Sequence, residues 1–126
     1  MGEPPHGEPG SQGLDIRRHE ADGILVVTVA GEIDADTAPL LKSAVTRAIE
    51  DTPRGDRVLD LTAVTFLDSA GLAALVDATE RAEERREALR IVVDANRPVI
   101  RPIEVTGLDD VLRLYHSVDD ALDDTG

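Results

Sequence analysis

DLTAVTFLDSAGLAALVDA, residues 60–78, is the segment that decides the fold. It continues from a predicted strand at residues 57–61, and the chain then turns at residues 66–68. A helix is predicted from residue 69 to about residue 88, because apolar residues recur there at spacings of three and four. Gly71 in the first turn would allow a close approach of helix and sheet. The predicted inner stripe of this helix consists of Leu72, Leu75, Val76, Thr79 and Ala82.

The residues before this segment predict an antiparallel hairpin. Residues 14–18, LDIRR, alternate between apolar and polar side chains, which is typical of a half-buried edge strand. Residues 19–23 are predicted to form a turn, for which Asp22-Gly23 is the strongest signal. The β-branched run ILVVTV at residues 24–29 predicts a strand that is buried on both faces, and a loop should follow it.

Further helices and strands are predicted on both sides of the central segment. A helix should begin at Pro39, because proline suits a first turn, and Pro53 and Gly55 should end it. Its predicted apolar face consists of Leu41, Ala44, Val45 and Ala48. After the central segment we expect a strand from Leu89 and a helix at residues 96–105 that Pro102 makes short or kinked. The last elements are a strand at residues 112–116 and a small helix for which Ser117 and Asp120 have capping-box spacing.

These elements together predict an α/β fold. A mixed sheet of four to five strands should begin with the antiparallel hairpin, and its remaining strands should be parallel. About four helices should cover the sheet, chiefly on one side. Residues 1–13 are Gly, Pro and polar residues and are predicted to be a disordered tail, whereas residues 14–126 form one domain.

Composition restricts the classes of partner. The chain has 126 residues, and its 13 basic and 26 acidic side chains give a formal net charge of −13. Such a surface repels nucleic acids and anionic membranes, so we expect a protein partner with a basic patch. The chain has no Cys, no Gly-rich phosphate loop and only scattered His residues, so no cofactor is predicted. It lacks a signal pattern and a membrane-spanning apolar run, so we predict a cytoplasmic location.

Ser69 has two interpretations. The structural one is an N-cap, because a serine oxygen at the start of a helix can accept an orphan backbone N–H. The functional one follows from its position, since open α/β sheets place their sites where a parallel strand leads into a helix. The N–H groups and dipole at a helix N-terminus also tolerate an added phosphate.

Two motifs give this sequence a resemblance to the STAS family, which is named for sulfate transporters and anti-sigma-factor antagonists. The family pattern D-S-[SAT]-G-[LIV] is matched by residues 68–72, DSAGL, and the pattern G-E-[IL]-D by residues 31–34, GEID. Gly107-Leu108-Asp109 and the ending from Ser117 to Leu122 also match. The resemblance covers about residues 14–123 and implies the STAS fold.

The resemblance also implies a function. In soluble family members, the unphosphorylated antagonist binds an anti-sigma factor that is itself a serine kinase, which releases the sigma factor. Phosphorylation of the serine breaks that complex, and a metal-dependent serine phosphatase restores it. Carried over to this chain, the phosphoacceptor is Ser69, and ATP and Mg²⁺ are bound by the partner. The implied partner-binding residues are Asp34, Asp36, Thr37, Asp68, Ser69, Ala70, Gly71 and Leu72, with Asp34 expected beside Ser69.

Three alternatives remain open at this point. Ser69, Asp94 and His116 occur in the order of an α/β-hydrolase triad, but the required Gly two residues before the serine is Leu67 here. A Mg²⁺ site would combine carboxylates that are also explained as solvated loop residues, namely Asp34, Asp36, Asp60 and Asp68. The third alternative is a STAS scaffold or subunit of a transport or signalling assembly that has no phosphoswitch.

Overall fold

The structure is a computed structural model that describes residues 13–51 and 55–123, so nearly all of the predicted N-terminal tail lies outside the described residues. Five strands form one sheet in the order β1-β2-β3-β4-β5. β1 and β2 are antiparallel, and every later neighbour is parallel. The strands are β1 Leu14–Ala21, β2 Ile24–Ile33, β3 Arg57–Leu67, β4 Leu89–Val92 and β5 Arg113–Tyr115.

Within the described residues, four α-helices accompany the sheet, which confirms the predicted fold class. They are α1 Ala38–Asp51, α2 Ser69–Glu84, α3 Arg97–Val105 and α4 Val118–Asp123, and a short 3-10 helix, Leu108–Asp110, precedes β5. The first three pack on one face of the sheet over the main core, in which Leu41, Leu75 and Ile103 are fully buried. Each such aliphatic side chain contributes about 1.5–3 kcal/mol through burial. The smaller α4 covers the opposite face through Ala121.

The hairpin turn is confirmed, but it is tighter than predicted. Asp22 and Gly23 both have positive φ, +55° and +78°, as a two-residue type I′ turn requires. β1 therefore continues through residues 19–21 instead of ending at Arg18, because these residues pair with β2. β2 likewise runs on to Ile33, so the first half of the predicted loop belongs to a strand that is paired on both sides.

β3 is twice as long as predicted, and the predicted turn at Phe66-Leu67 is wrong. Leu61, Val64 and Leu67 all face the main core at a spacing of three, whereas a regular strand has a period of two. Two bulges account for this spacing, because β3 advances by one residue more than β2 at two places in their register. The strand therefore reaches Leu67, and only Asp68 separates it from α2.

The C-terminal end of α2 also differs from the prediction. The helix ends at Glu84 instead of near Ala88, because Arg86 adopts φ +60° and Glu87 N donates back to Ala82 O at 2.9 Å. The short α3 is confirmed, with Pro102 inside it, and Ser117 Oγ caps α4 by accepting from Asp120 N at 3.0 Å.

A buried charge cluster lies where β3 and β4 begin. The Arg57 guanidinium donates to Glu87 Oε1 at 2.5 Å, and both side chains are almost completely buried. Arg90 pairs with Asp56 at 2.6 Å beside them. Burial alone would raise the pKa of the Glu87 carboxyl, but hydrogen bonds from Gly55 N, Arg57 and Arg85 outweigh it and hold that pKa below its ordinary value.

We predict that Glu87→Gln destabilises the fold by about 3–5 kcal/mol at pH 7, because it replaces one charged partner of a buried ion pair with a neutral group. A carboxyl whose pKa is lowered on folding stabilises the native state above its unfolded pKa, and this contribution is lost as pH falls through the folded value. The difference in the free energy of unfolding between wild type and Glu87→Gln should therefore become smaller below about pH 4.5. Urea denaturation at pH 7 and at lower pH measures it, with the exposed Glu84→Gln as the matched control. A difference that is independent of pH would contradict the prediction.

Candidate functional site

The candidate site lies at the carboxyl ends of β2 and β3. Ile33 and Leu67 are register partners at the end of this parallel pair, so the residues that follow them, Asp34 and Asp68, leave the sheet side by side. Asp68 N donates to Ile33 O at 3.2 Å, which joins the two segments through their backbones. The sheet thus brings the two sequence motifs, which are more than 30 residues apart, to one edge.

Asp68, and not Ser69, is the N-cap of α2. Its Oδ1 accepts from Ala70 N at 3.0 Å and from Gly71 N at 3.1 Å. Ser69 is the first residue of the helix and is exposed, and its hydroxyl makes no hydrogen bond within residues 13–51 and 55–123. The capping interpretation of Ser69 is therefore wrong, since the neighbouring carboxylate already performs that role.

Gly71 brings the first turn of α2 directly onto the end of the sheet. A Cβ built at this residue would lie 2.5 Å from Leu67 Cδ1, 2.8 Å from Ile33 Cγ2 and 3.1 Å from Ile33 O. These distances are shorter than real carbon contacts, so only glycine fits without movement of its neighbours. The predicted close approach of helix and sheet is confirmed. Gly71 and Leu72 are both buried, whereas Ala70 is half-buried.

The loop after β2 is preformed by internal hydrogen bonds. Asp34 Oδ1 accepts from Asp36 N at 2.9 Å and from Thr37 N at 3.0 Å. The Thr37 hydroxyl donates to Glu32 O at 2.7 Å, and Thr37 Oγ1 also accepts from Asp34 N. Thr37 is only 6% exposed, so among these three residues Asp36 is the one whose side chain projects freely into solvent. Asp34 and Thr37 shape the loop, and their direct contact with a partner stays a prediction.

A groove between α1 and α2 lies next to Ser69, and it was not predicted from the sequence. Its volume is about 400 Å³, and its floor is built mainly from alanines. An ion pair of 3.7 Å between Lys42 and Asp77 crosses from one helix to the other at one end. The spacing of alanines along α2 was the available signal, but small residues also occur wherever two helices pack closely. The lining residues are Ala35, Ala38, Pro39, Lys42, Ala70, Ala73, Ala74 and Asp77.

The residues of the two enzyme alternatives are not assembled into a site. Ser69, Asp94 and His116 follow β3, β4 and β5 in turn, and strands lie about 4.8 Å apart, so the first and last of these strands are about 10 Å from each other. No hydrogen bond links these three residues within the described part of the chain. Of the four aspartates, Asp34, Asp60 and Asp68 each accept a hydrogen bond from a backbone N–H group, which for Asp60 is that of Thr62. Among the described residues, no three His, Asp or Glu side chains are grouped as metal ligands.

Comparison with known proteins assigns the family. The STAS domain profile matches residues 15–121 of the 126. The chain belongs to the STAS family. It is 37% identical over 102 residues to the anti-sigma-F factor antagonist RsfB of Mycobacterium tuberculosis, with 80% of each chain covered. It is 34% identical to the anti-sigma-B factor antagonist of Listeria monocytogenes, with 80% of this chain and 86% of the relative covered.

A solved structure supports the same assignment. The crystal structure of an anti-sigma factor antagonist from Mycobacterium paratuberculosis superposes with a TM-score of 0.80 and is 38% identical. The match covers 93% of this chain and 96% of that one. The STAS resemblance and the STAS fold are thus confirmed. No helix among residues 13–51 and 55–123 has the length and apolarity needed to cross a membrane.

We predict that Asp68→Ala lowers the free energy of unfolding by about 1 kcal/mol, because α2 loses its side-chain cap. The matched control is Asp36→Ala, which removes the same group from an exposed loop position and should stay within about 0.5 kcal/mol of wild type. Urea denaturation of the three proteins measures both effects. Equal losses for the two variants would contradict the assignment of Asp68 as the cap.

Proposed function

We propose that this chain is an anti-sigma-factor antagonist that is switched by phosphorylation of Ser69. The unphosphorylated form binds an anti-sigma factor with serine kinase activity and thereby releases the sigma factor, and the phosphorylated form does not bind. A metal-dependent serine phosphatase resets the switch. The observation that carries the proposal is the exposed Ser69 hydroxyl, which is not engaged in capping because Asp68 performs that role. The antagonist names of relatives at 37% and 34% identity support it.

The geometry around Ser69 suits a phosphoacceptor. The hydroxyl lies on the first residue of a 16-residue helix, so a kinase can reach it without unfolding any element. The N-terminal end of the helix dipole favours an added phosphate, and the free domain can therefore keep its fold. Nucleotide and Mg²⁺ belong to the kinase partner in this proposal, because the chain has no Gly-rich phosphate loop.

The surface around Ser69 defines the chemistry of the partner. Asp36 projects from the neighbouring loop, and Asp68 is half-buried immediately before Ser69. A partner that covers these carboxylates must supply basic groups, which agrees with the net charge of −13. We include in the contact the residues implied by the STAS resemblance, namely Asp34, Asp36, Thr37, Asp68, Ser69, Ala70, Gly71 and Leu72. Control of a sigma factor would require a cytoplasmic location.

The switch follows from charge and not from refolding. A phosphate on Ser69 adds nearly two negative charges directly beside the Asp68 carboxylate, in a contact from which water is excluded. One like-charge pair at ~5 Å costs about 3 kcal/mol at an effective dielectric constant of ~20 but about 0.8 kcal/mol in water, so burying the pair in the contact costs about 2.5 kcal/mol. Even if screening halves this cost, the affinity falls roughly tenfold, and steric overlap with the partner adds to the loss.

We predict that Ser69→Asp lowers the affinity for the anti-sigma factor by about tenfold or more, with an unchanged circular dichroism spectrum. Ser69→Ala should bind like the unphosphorylated wild type and accept no phosphate. Pull-down from native lysate with intact-mass analysis identifies the partner and any phosphate, and titration calorimetry then measures the three affinities.

The matched control for this experiment is Ser43→Asp, which adds the same charge at an exposed position on α1 and should retain wild-type affinity. Equal affinity of wild type and Ser69→Asp, together with no phosphate ever found on Ser69, would overturn the switch. The chain would then be a STAS scaffold or an assembly subunit without phosphoregulation.

A further inference from the structure

Asn96 holds the part of β3 that β4 leaves without a neighbour. β4 pairs with β3 only from Arg57 to Asp60, and no strand continues on that side of β3 within the described residues. The side-chain amide of Asn96 takes the place of the missing strand, because its Nδ2 donates to Leu61 O and to Val64 O, each at 2.8 Å. One side chain thus satisfies two backbone carbonyls that would otherwise lack a sheet partner.

The two carbonyls flank the first bulge of β3. Between them lie Thr62 and Ala63, where β3 carries one residue more than β2. The side chains of Leu61 and Val64 are both directed into the main core, so the amide fixes the strand at the two points between which its period changes. From Val64 the strand runs to Leu67 and delivers Asp68 and Ser69 beside β2. The position of the turn therefore depends on the geometry of this bulge.

The position of Asn96 makes this use of its side chain distinctive. It occupies the N-cap of α3, where an asparagine normally accepts backbone N–H groups through its side-chain oxygen. No side-chain capping bond is formed here, and Pro98 in the first turn has no N–H to offer. The donating amide of Asn96 is engaged instead. Asp and Ser would serve equally well as ordinary caps, but neither has an amide N–H₂ group that donates twice.

We propose that Asn96 is a positioning residue for the Ser69 turn, acting through the carbonyls of Leu61 and Val64. The part of this inference that concerns Ser69 rests on the proposed function. The test is Asn96→Asp in the full chain, because aspartate keeps the size and capping ability of asparagine but presents acceptors to two carbonyls. Loss of two hydrogen bonds should raise amide hydrogen exchange at residues 62–68 by about tenfold or more.

Phosphate transfer gives a second readout that a purely structural role would not move. The kinase is the one captured by the wild-type chain. Its kcat/KM for phosphorylation of Ser69 should be about tenfold lower with Asn96→Asp as substrate than with the wild-type chain, because small displacements of a reacting group are costly. The matched control is Ser117→Ala, which removes the α4 cap on the opposite face and should slow phosphorylation by less than about twofold.

Each outcome decides one of the two proposals. If Asn96→Asp matches wild type in amide hydrogen exchange and in phosphorylation, the positioning role is overturned. The positioning role is also overturned if amide hydrogen exchange of Asn96→Asp rises equally in all helices and strands and its phosphorylation is slowed no more than that of Ser117→Ala. If the wild-type chain itself is never phosphorylated, the proposed function fails, whereas local exchange at residues 62–68 still tests whether Asn96 holds the bulge.

Discussion

The first turn of α2 lies against the end of β2 with no space for a side chain between them. Gly71 provides this contact, and the hydrogen bond from Asp68 N to Ile33 O fixes it. A larger residue would force α2 away from the sheet, and Leu72 and Leu75 would then leave the core that they share with α1 and β3. Helix packing and the shape of the Ser69 turn therefore depend on the same close approach.

The buried ion pair and the exposed Ser69 lie at opposite ends of the parallel strands. At the amino ends of β3 and β4, Arg57 and Glu87 are buried against each other, and breaking such a buried ion pair is costly. At the carboxyl ends, the carboxylates of Asp34 and Asp68 accept hydrogen bonds from backbone N–H groups, and the Asn96 amide donates to β3, which orders this end of the sheet without covering Ser69. The turn that carries the exposed Ser69 is thus held by local hydrogen bonds of modest energy, whereas the opposite end of the strands is held by the buried ion pair.

Much of this architecture could be predicted from local sequence, and the differences have identifiable physical causes. The hairpin and the helix at Ser69 were predictable because Asp22-Gly23 and the apolar stripe of α2 are strong local signals. The length of β3 was not predictable, because two bulges change its period from two to three, and both bulges are defined by pairing with β2, which is distant in sequence. The cap was assigned one residue too late, because both Asp68 and Ser69 can cap and only the backbone decides between them. The groove between α1 and α2 depends on how two helices meet, which no local pattern encodes.

In the proposed switch, the assignment of the cap to Asp68 would explain how phosphorylation of one residue changes an interface without changing the fold. If Ser69 were the cap, a phosphate would remove a helix-terminal hydrogen bond and alter the domain itself. Because Asp68 accepts from the N–H groups of Ala70 and Gly71, a phosphate on Ser69 would leave the cap of α2 in place. The Asp68 carboxylate also lies next to Ser69, so the group that stabilises the helix would supply part of the repulsion between a phosphate on Ser69 and its surroundings in a dry interface. A single Asp-Ser pair would thus separate the structural role from the proposed regulatory one, and the order of the two residues is what makes the separation possible.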